Sequence, residues 1–229
     1  MVQIKTYHLA PTALIPNSPY PLVHYQELLP RSTPANDMAT GFYDLLAANQ
    51  WSPQWIFRYG RTQRSHYHSL THECMIVLTG EATVRFGVAD TDPDDMEANT
   101  FGGAAEPGGL ELRASPGDVF VIPVGVAHKT FAAEPAAGFE LLTPGDGHDF
   151  PPPAEARALL RDLPLDGFTM MGAYPSDSQG WDSAVGGEGA AVYAKVWSTP
   201  PPNLDPVLGN SPQGITKTWK DIPRLDSKL

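Results

Sequence analysis

The chain has 229 residues, of which 41% are apolar and 10% aromatic, a globular rather than a disordered composition. Acids outnumber bases 26 to 15, for a net charge of -11, which argues against a nucleic-acid footprint and against anionic membrane surfaces. One cysteine, Cys74, excludes a disulfide within the chain, and no apolar run approaches the ~20 residues of a membrane span.

The 21 glycines and 24 prolines favour turns over long helices and point to an all-β scaffold with irregular arms. Residues 1–35 are Pro-rich and polar and read as an extended arm. They lack the uninterrupted apolar core of a secretory signal. Residues 36–50 are expected to be helical. Asn36 or Asp37 offers a cap, and Met38, Phe42, Leu45 and Leu46 share one face. Residues 51–60 read as a turn into a strand. The stretch 64–86 is strand-like, with a turn at Gly80-Glu81. Residues 87–109 read as an acidic, Gly-rich loop, whose run Asp90–Glu97 lacks the spacing of a calcium-binding EF-hand loop.

Strands are expected at 110–114 and 119–123, with a turn at 115–118 between them, and Val124–His128 leads into another strand. Pro153 is placed to start a short helix over 153–163. Residues 168–175 and 190–197 read as strands. In the second, Val192, Ala194 and Val196 fall on one face. Residues 198–229 form a Pro-rich tail. Many short strands separated by turns suggest one barrel or jelly roll.

Three of the seven histidines lie within seven residues. His66 and His68 are two apart, so on a strand they project from one face. With a carboxylate five residues on, they form a ligand set suited to Mn, Fe, Zn, Ni or Cu. His128, distant in sequence, is a fourth candidate. Either His72 or Glu73 can point inward. His72 keeps the strand parity of His68, whereas Glu73 does not. With His72 inward the set would be all-histidine. With Glu73 inward, His72 remains as a rim residue or a proton-carrying catalytic group. Cys74 is expected to be a buried, inert thiol. Met75, Val77, Phe86, Val119, Val121 and Phe131 are candidate barrel-lining or core residues. Tyr67 should face away from the histidines. Met170 and Met171 should pack. Arg58, Arg61, Arg64 or Arg85, if turned inward, could hold a substrate carboxylate.

The spacings Gly60-x5-His66-x-His68-x4-Glu73-x6-Gly80 and Gly117-x5-Pro123-x-Gly125-x2-His128 resemble the two motifs of the cupin superfamily. Ala132 stands where the second motif ends in Asn, which is not a metal ligand in that family. Asn49, Trp51, HYHSLTHE (66–73), GAYP (172–175), DPVLG (205–209) and Trp219, in that order, resemble the small YjlB-type monocupins. An acidic, Pro-rich stretch at 131–165 departs from them. The resemblance implies an all-β fold, a single cupin jelly-roll barrel with a few short helices. The one domain spans 1–229, with its core at about 50–200, an N-terminal arm and helix at 1–49, and a tail at 198–229. It implies one divalent metal held by His66, His68, Glu73 and His128. A metal-dependent enzyme acting on a small carboxylate- or carbonyl-bearing molecule follows, with oxidoreductase or dioxygenase chemistry ahead of isomerase or decarboxylase chemistry. The competing reading is a non-catalytic binding cupin.

Apolar residues of the arm (Tyr7, Leu9, Leu14, Ile15 and Val23) have no obvious barrel position, so a homodimer with exchanged arms is expected. The chain ends Ser227-Lys228-Leu229, a peroxisomal address read by an import receptor, with a cytoplasmic location as the alternative.

Overall fold

The computed structural model describes residues 3–220 and 222. The tripeptide Ser227-Lys228-Leu229 lies outside the described residues. In chain order come β1 (Gln3–Tyr7), β2 (Leu22–Gln26), α1 (Ala35–Ala48), β3 (Trp51–Tyr59), β4 (Glu73–Thr79) and β5 (Glu81–Phe86). Then follow α2 (Met96–Phe101), β6 (Leu110–Ala114), β7 (Val119–Ile122), β8 (His128–Glu134) and β9 (Glu140–Leu141). The chain continues through α3 (Pro153–Asp162), β10 (Phe168–Pro175), α4 (Ala190–Ser198) and α5 (Ile215–Thr218).

A seven-stranded sheet, ordered β1-β2-β7-β4-β10-β3-β9, faces a three-stranded sheet, β6-β5-β8. All pairings between these strands are antiparallel. This is an all-β jelly roll with short helices. Alternation along each strand separates two cores. Trp55, Tyr59, Met75, Val77, Val84, Phe86, Phe120, Ile122, Phe168, Met170 and Tyr174 fill the space between the sheets. Ile56, Cys74, Ile76, Val119, Val121, Met171 and Ala173 project from the other face of the large sheet. There α1 covers them with Met38, Phe42 and Leu46, and α3 with Ala156 and Leu160.

Val119 and Val121 therefore do not line the barrel, and Phe131 lies outside it beneath the Arg85 guanidinium, 5.0 Å away. Helix α1 has no side-chain cap; its N-cap is Pro34. Asn36 instead donates to the carbonyls of Leu160 and Leu163 at the end of α3, at 2.7 and 2.9 Å. The departing stretch 131–165 is thus the end of β8, the short β9 and a helix that closes over α1.

Two local expectations fail. Residues 190–198 form α4, not a strand. Val192 and Val196, four apart, lie on one helical face against Ile15, Tyr67 and Val124. The loop 87–109 contains α2, whose N-cap Asp95 accepts from the Ala98 N–H at 2.8 Å. Within it, Lys129 and Asp90 form a fully buried ion pair at 2.8 Å that fastens the loop to β8.

The arm belongs to the fold. Strand β2 sits between β1 and β7, Val23 and Ile15 are fully buried, and Tyr7 and Leu9 pack on the barrel core. The apolar residues of the arm find packing partners within their own chain.

Candidate metal centre

His66 and His68 do not lie on a regular strand. An antiparallel bridge pairs His66 with His128, with backbone hydrogen bonds of 3.1 and 2.8 Å. The extended backbone still alternates, so both imidazoles face the barrel interior beside His128. Tyr67 points the other way, is fully buried against Ile15 and Val124, and donates to Glu188 at 2.6 Å.

The chain then bends at Ser69-Leu70. Asp182 fixes this bend by accepting from the Ser69 N–H at 2.7 Å and its hydroxyl at 2.6 Å. The bend resets the parity. Glu73 opens β4 in register with the inward Met75 and Val77. His72 falls on the outward side, and the structure corrects its expected catalytic role. Its Nδ1 accepts from the Val124 N–H at 3.0 Å, and its Nε2 donates to the Pro200 carbonyl at 3.0 Å. One acceptor and one donor suit a neutral ring. Burial keeps it neutral, lowering its pKa to about 4. Its ring packs against Trp219 and Tyr20. His72 ties the barrel to the tail and has no contact with the other three histidines.

The structure brings His66, His68 and His128 together, with one ring nitrogen of each within 4.8 Å of the others. Glu73 Oε1 lies 3.2 Å from His68 Nε2, and Oε2 lies 3.2 Å from His128 Nε2. Each Nδ1 faces a backbone carbonyl: His66 that of Arg64 at 3.2 Å, His128 that of Val126 at 3.2 Å, and His68 that of Asp182. A carbonyl only accepts, so each Nδ1 carries a hydrogen and each Nε2 is left to the centre. His68 Nε2 and Glu73 Oε2 are buried without a well-formed hydrogen bond. Two buried acceptors side by side without a donor are costly unless a cation joins them. Three imidazoles and a carboxylate fit a divalent first-row ion.

The electrostatics divide: burial would lower His68, but the Glu73 carboxylate outweighs it and raises the ring, whereas His128 is lowered, chiefly by burial. Burial, with His128 and His68 nearby, lowers His66 to about 3. Burial alone would raise the Glu73 carboxyl. The neighbouring His68 and His128 and the hydrogen bond from Tyr174 outweigh it and hold Glu73 below the ordinary range. Burial raises the Tyr174 phenol well above its usual range, with Glu73 adding to the shift. Tyr174 therefore remains a donor, to Glu73 Oε1 at 2.7 Å, while accepting from Trp55 Nε1 at 3.0 Å.

The histidines and Glu73 open into a cavity of about 150 Å³. Trp55, Phe57, Tyr59, Phe139, Tyr174 and Trp181 wall it, with Gln63 and Met75. None of the candidate arginines lines the cavity. Arg58 pairs with Asp166 and Glu140, Arg61 with Glu97, and Arg85 with Glu111; Arg64 is exposed. Cys74 faces the outer core, where burial pushes its thiol well up. Met170 and Met171 are packing residues on opposite faces of β10. The aromatic wall was missed in the sequence. Its signal was the i, i+2, i+4 row Trp55, Phe57, Tyr59 on a single strand.

An antiparallel jelly roll with a histidine cluster at its centre defines the class. Residues 63–168 match the family model described as Cupin. The chain is 28% identical over 223 residues to the uncharacterized protein YjlB of Bacillus subtilis (strain 168), covering 95% of this chain and 97% of that protein. Together these findings support a small cupin-family protein of unassigned function. Among solved structures, oxalate decarboxylase of Lactobacillus farciminis is 13% identical, covering 77% of this chain and 36% of its own, with a TM-score of 0.31. Hazelnut (Corylus avellana) vicilin is 12% identical, covering 77% and 33%, with a TM-score of 0.30. The chain spans about a third of these two structures, and at such scores the likeness carries no argument about function.

Proposed function

We propose that this cupin is a metal-dependent enzyme acting on a small organic molecule through an oxygen substituent, with oxidoreductase chemistry of the dioxygenase type ahead of decarboxylation or isomerisation. The observation that carries it is the convergence of three carbonyl-anchored imidazoles and Glu73 at the inner end of a cavity large enough for a substrate. A divalent transition ion there would supply Lewis acidity toward a substrate oxygen and, if redox-active, a route for electrons. His66, His68, Glu73 and His128 would hold it. Tyr174 keeps Glu73 ionised and oriented. The aromatic walls exclude water and set the size of what enters. A purely storage-type role would need neither a buried acceptor cluster nor a cavity opening onto it.

The test is elemental analysis of protein purified without a metal-binding tag, followed by oxygen-uptake screening of the loaded form. About one equivalent of Mn, Fe, Ni, Cu or Zn is expected, falling below a tenth in the His66→Ala/His128→Ala double variant. Unchanged metal in that variant would place the ion elsewhere and sink the reading.

A further inference from the structure

The cavity differs from a site built for small aliphatic acids. Such acids are commonly held by a bidentate arginine or by a lysine, and neither lines it among the described residues. Six aromatic rings line it beside the histidines, Glu73, Gln63 and Met75, and two pairs of these rings are nearly parallel. Tyr174 and Trp181 are nearly parallel, at 14°, as are Phe57 and Phe139, at 18°. His148 stacks behind Trp181 at 4.3 Å, and Trp181 donates to the Gly147 carbonyl, so the indole is held from two sides. Phe139 is 58% exposed at the cavity mouth, its ring stacked on Phe57. A cavity near 150 Å³ takes a benzene-sized body.

We propose that the site selects a flat, single-ring aromatic molecule carrying one oxygen donor, a phenol or an aromatic monocarboxylate, over aliphatic and doubly charged acids. This rests on the metal-dependent reading for the oxygen end of the molecule, and on the aromatic walls alone for its ring. The ring lies among Trp181, Tyr174, Phe57 and Phe139, and its oxygen points toward the three histidines. Apolar burial and offset aromatic contacts supply the affinity. A second carboxylate would have to be desolvated against these walls without a cationic side chain to receive it.

The experiment titrates the full-length, metal-loaded protein with benzoate, cyclohexanecarboxylate, malonate and tetramethylammonium, read by calorimetry and tryptophan fluorescence. Benzoate is expected to bind at least tenfold more tightly than any other. Phe139→Ala, a change at an exposed position, is expected to weaken benzoate at least threefold without altering metal content. Trp181→Leu should weaken it at least tenfold. Equal or tighter binding of malonate, cyclohexanecarboxylate or tetramethylammonium overturns the proposal while leaving the metal reading intact. Phenol is titrated in parallel into chelator-treated protein. Phenol binding there, in a protein that also fails to take up metal, sinks the metal reading and keeps the ring site. Absence of phenol binding to both forms overturns the ring site.

Discussion

Tyr174 links the carboxylate of the proposed metal centre to the cavity wall. Its hydroxyl donates to Glu73 Oε1 and accepts from Trp55 Nε1, so three buried side chains share one polar chain. Removing the hydroxyl leaves a carboxylate oxygen and an indole N–H unpaired, at a cost of about 1–3 kcal/mol of stability. It also frees the carboxylate to rotate. Tyr174→Phe is therefore expected to lower metal affinity about 10- to 100-fold, measured by chelator competition, and to change the visible spectrum of the cobalt-substituted protein. Wild-type affinity and spectrum in that variant would remove Tyr174 from any part in orienting Glu73. The histidines and Glu73 were legible from spacing because the motif fixes which residues share a face. Between His72 and Glu73, strand parity pointed to His72 and the motif's spacing to Gly80 pointed to Glu73, because alternation fails across the bend at Ser69-Leu70. What settles the choice is a contact 113 residues away in sequence, between Ser69 and Asp182, which no local pattern reports. Tyr174 sat inside a recognised strand, but its partner Glu73 is 101 residues distant.

At the scale of elements, strands with strict alternation or flanking turns were readable, as in β6, β7 and β10. Helix α4 was not, because Val192, Ala194 and Val196 alternate like a strand while Val192 and Val196 also satisfy helical spacing. Its length of 9 residues falls where periodicity alone does not discriminate. Helix α2, six residues among acids, is held by its cap and by the buried Lys129–Asp90 pair rather than by an apolar face. The departure at Ala132 has a structural meaning too. This residue has a φ of +51° and sits where the β5–β8 register shifts, at a bulge. An L-residue other than Asn or Asp is strained there, by roughly 1–2 kcal/mol. The motif's asparagine tolerates that conformation. Ala132→Asn is expected to raise stability by about 0.5–1 kcal/mol, seen as a higher urea midpoint with an unchanged slope. A lower midpoint would show that the alanine side chain contributes packing that outweighs the backbone strain.

For the whole molecule, the arm and the tail decide how far the folding unit extends. Trp219, 1% exposed, stacks on Tyr20 at 5.3 Å and donates to the Pro21 carbonyl at 2.9 Å. Asp205, fully buried, accepts from the hydroxyl of Tyr25 on β2 and from the N–H groups of Val207, Leu208 and Ile215. His72 meets this same tail at Pro200 and Trp219. The tail thus binds the arm, and both close over the outer core of the sheet whose inner face carries Glu73. Removing it would expose the apolar residues beneath Trp219 and Ile215, at about 1.5–3 kcal/mol for each large side chain. It would also leave the Tyr25 hydroxyl without its buried acceptor. Against a total stability of about 5–15 kcal/mol, those losses are not survivable by a fold of ordinary stability. We propose that residues 3–220 fold as one cooperative unit. A chain ending at Ser198 is expected to be insoluble or molten, losing near-ultraviolet circular dichroism and metal binding together. A chain ending at Lys220 should keep both. If the chain ending at Ser198 unfolds cooperatively at a denaturant midpoint near that of the full chain, the barrel stands alone and the tail is an accessory to it.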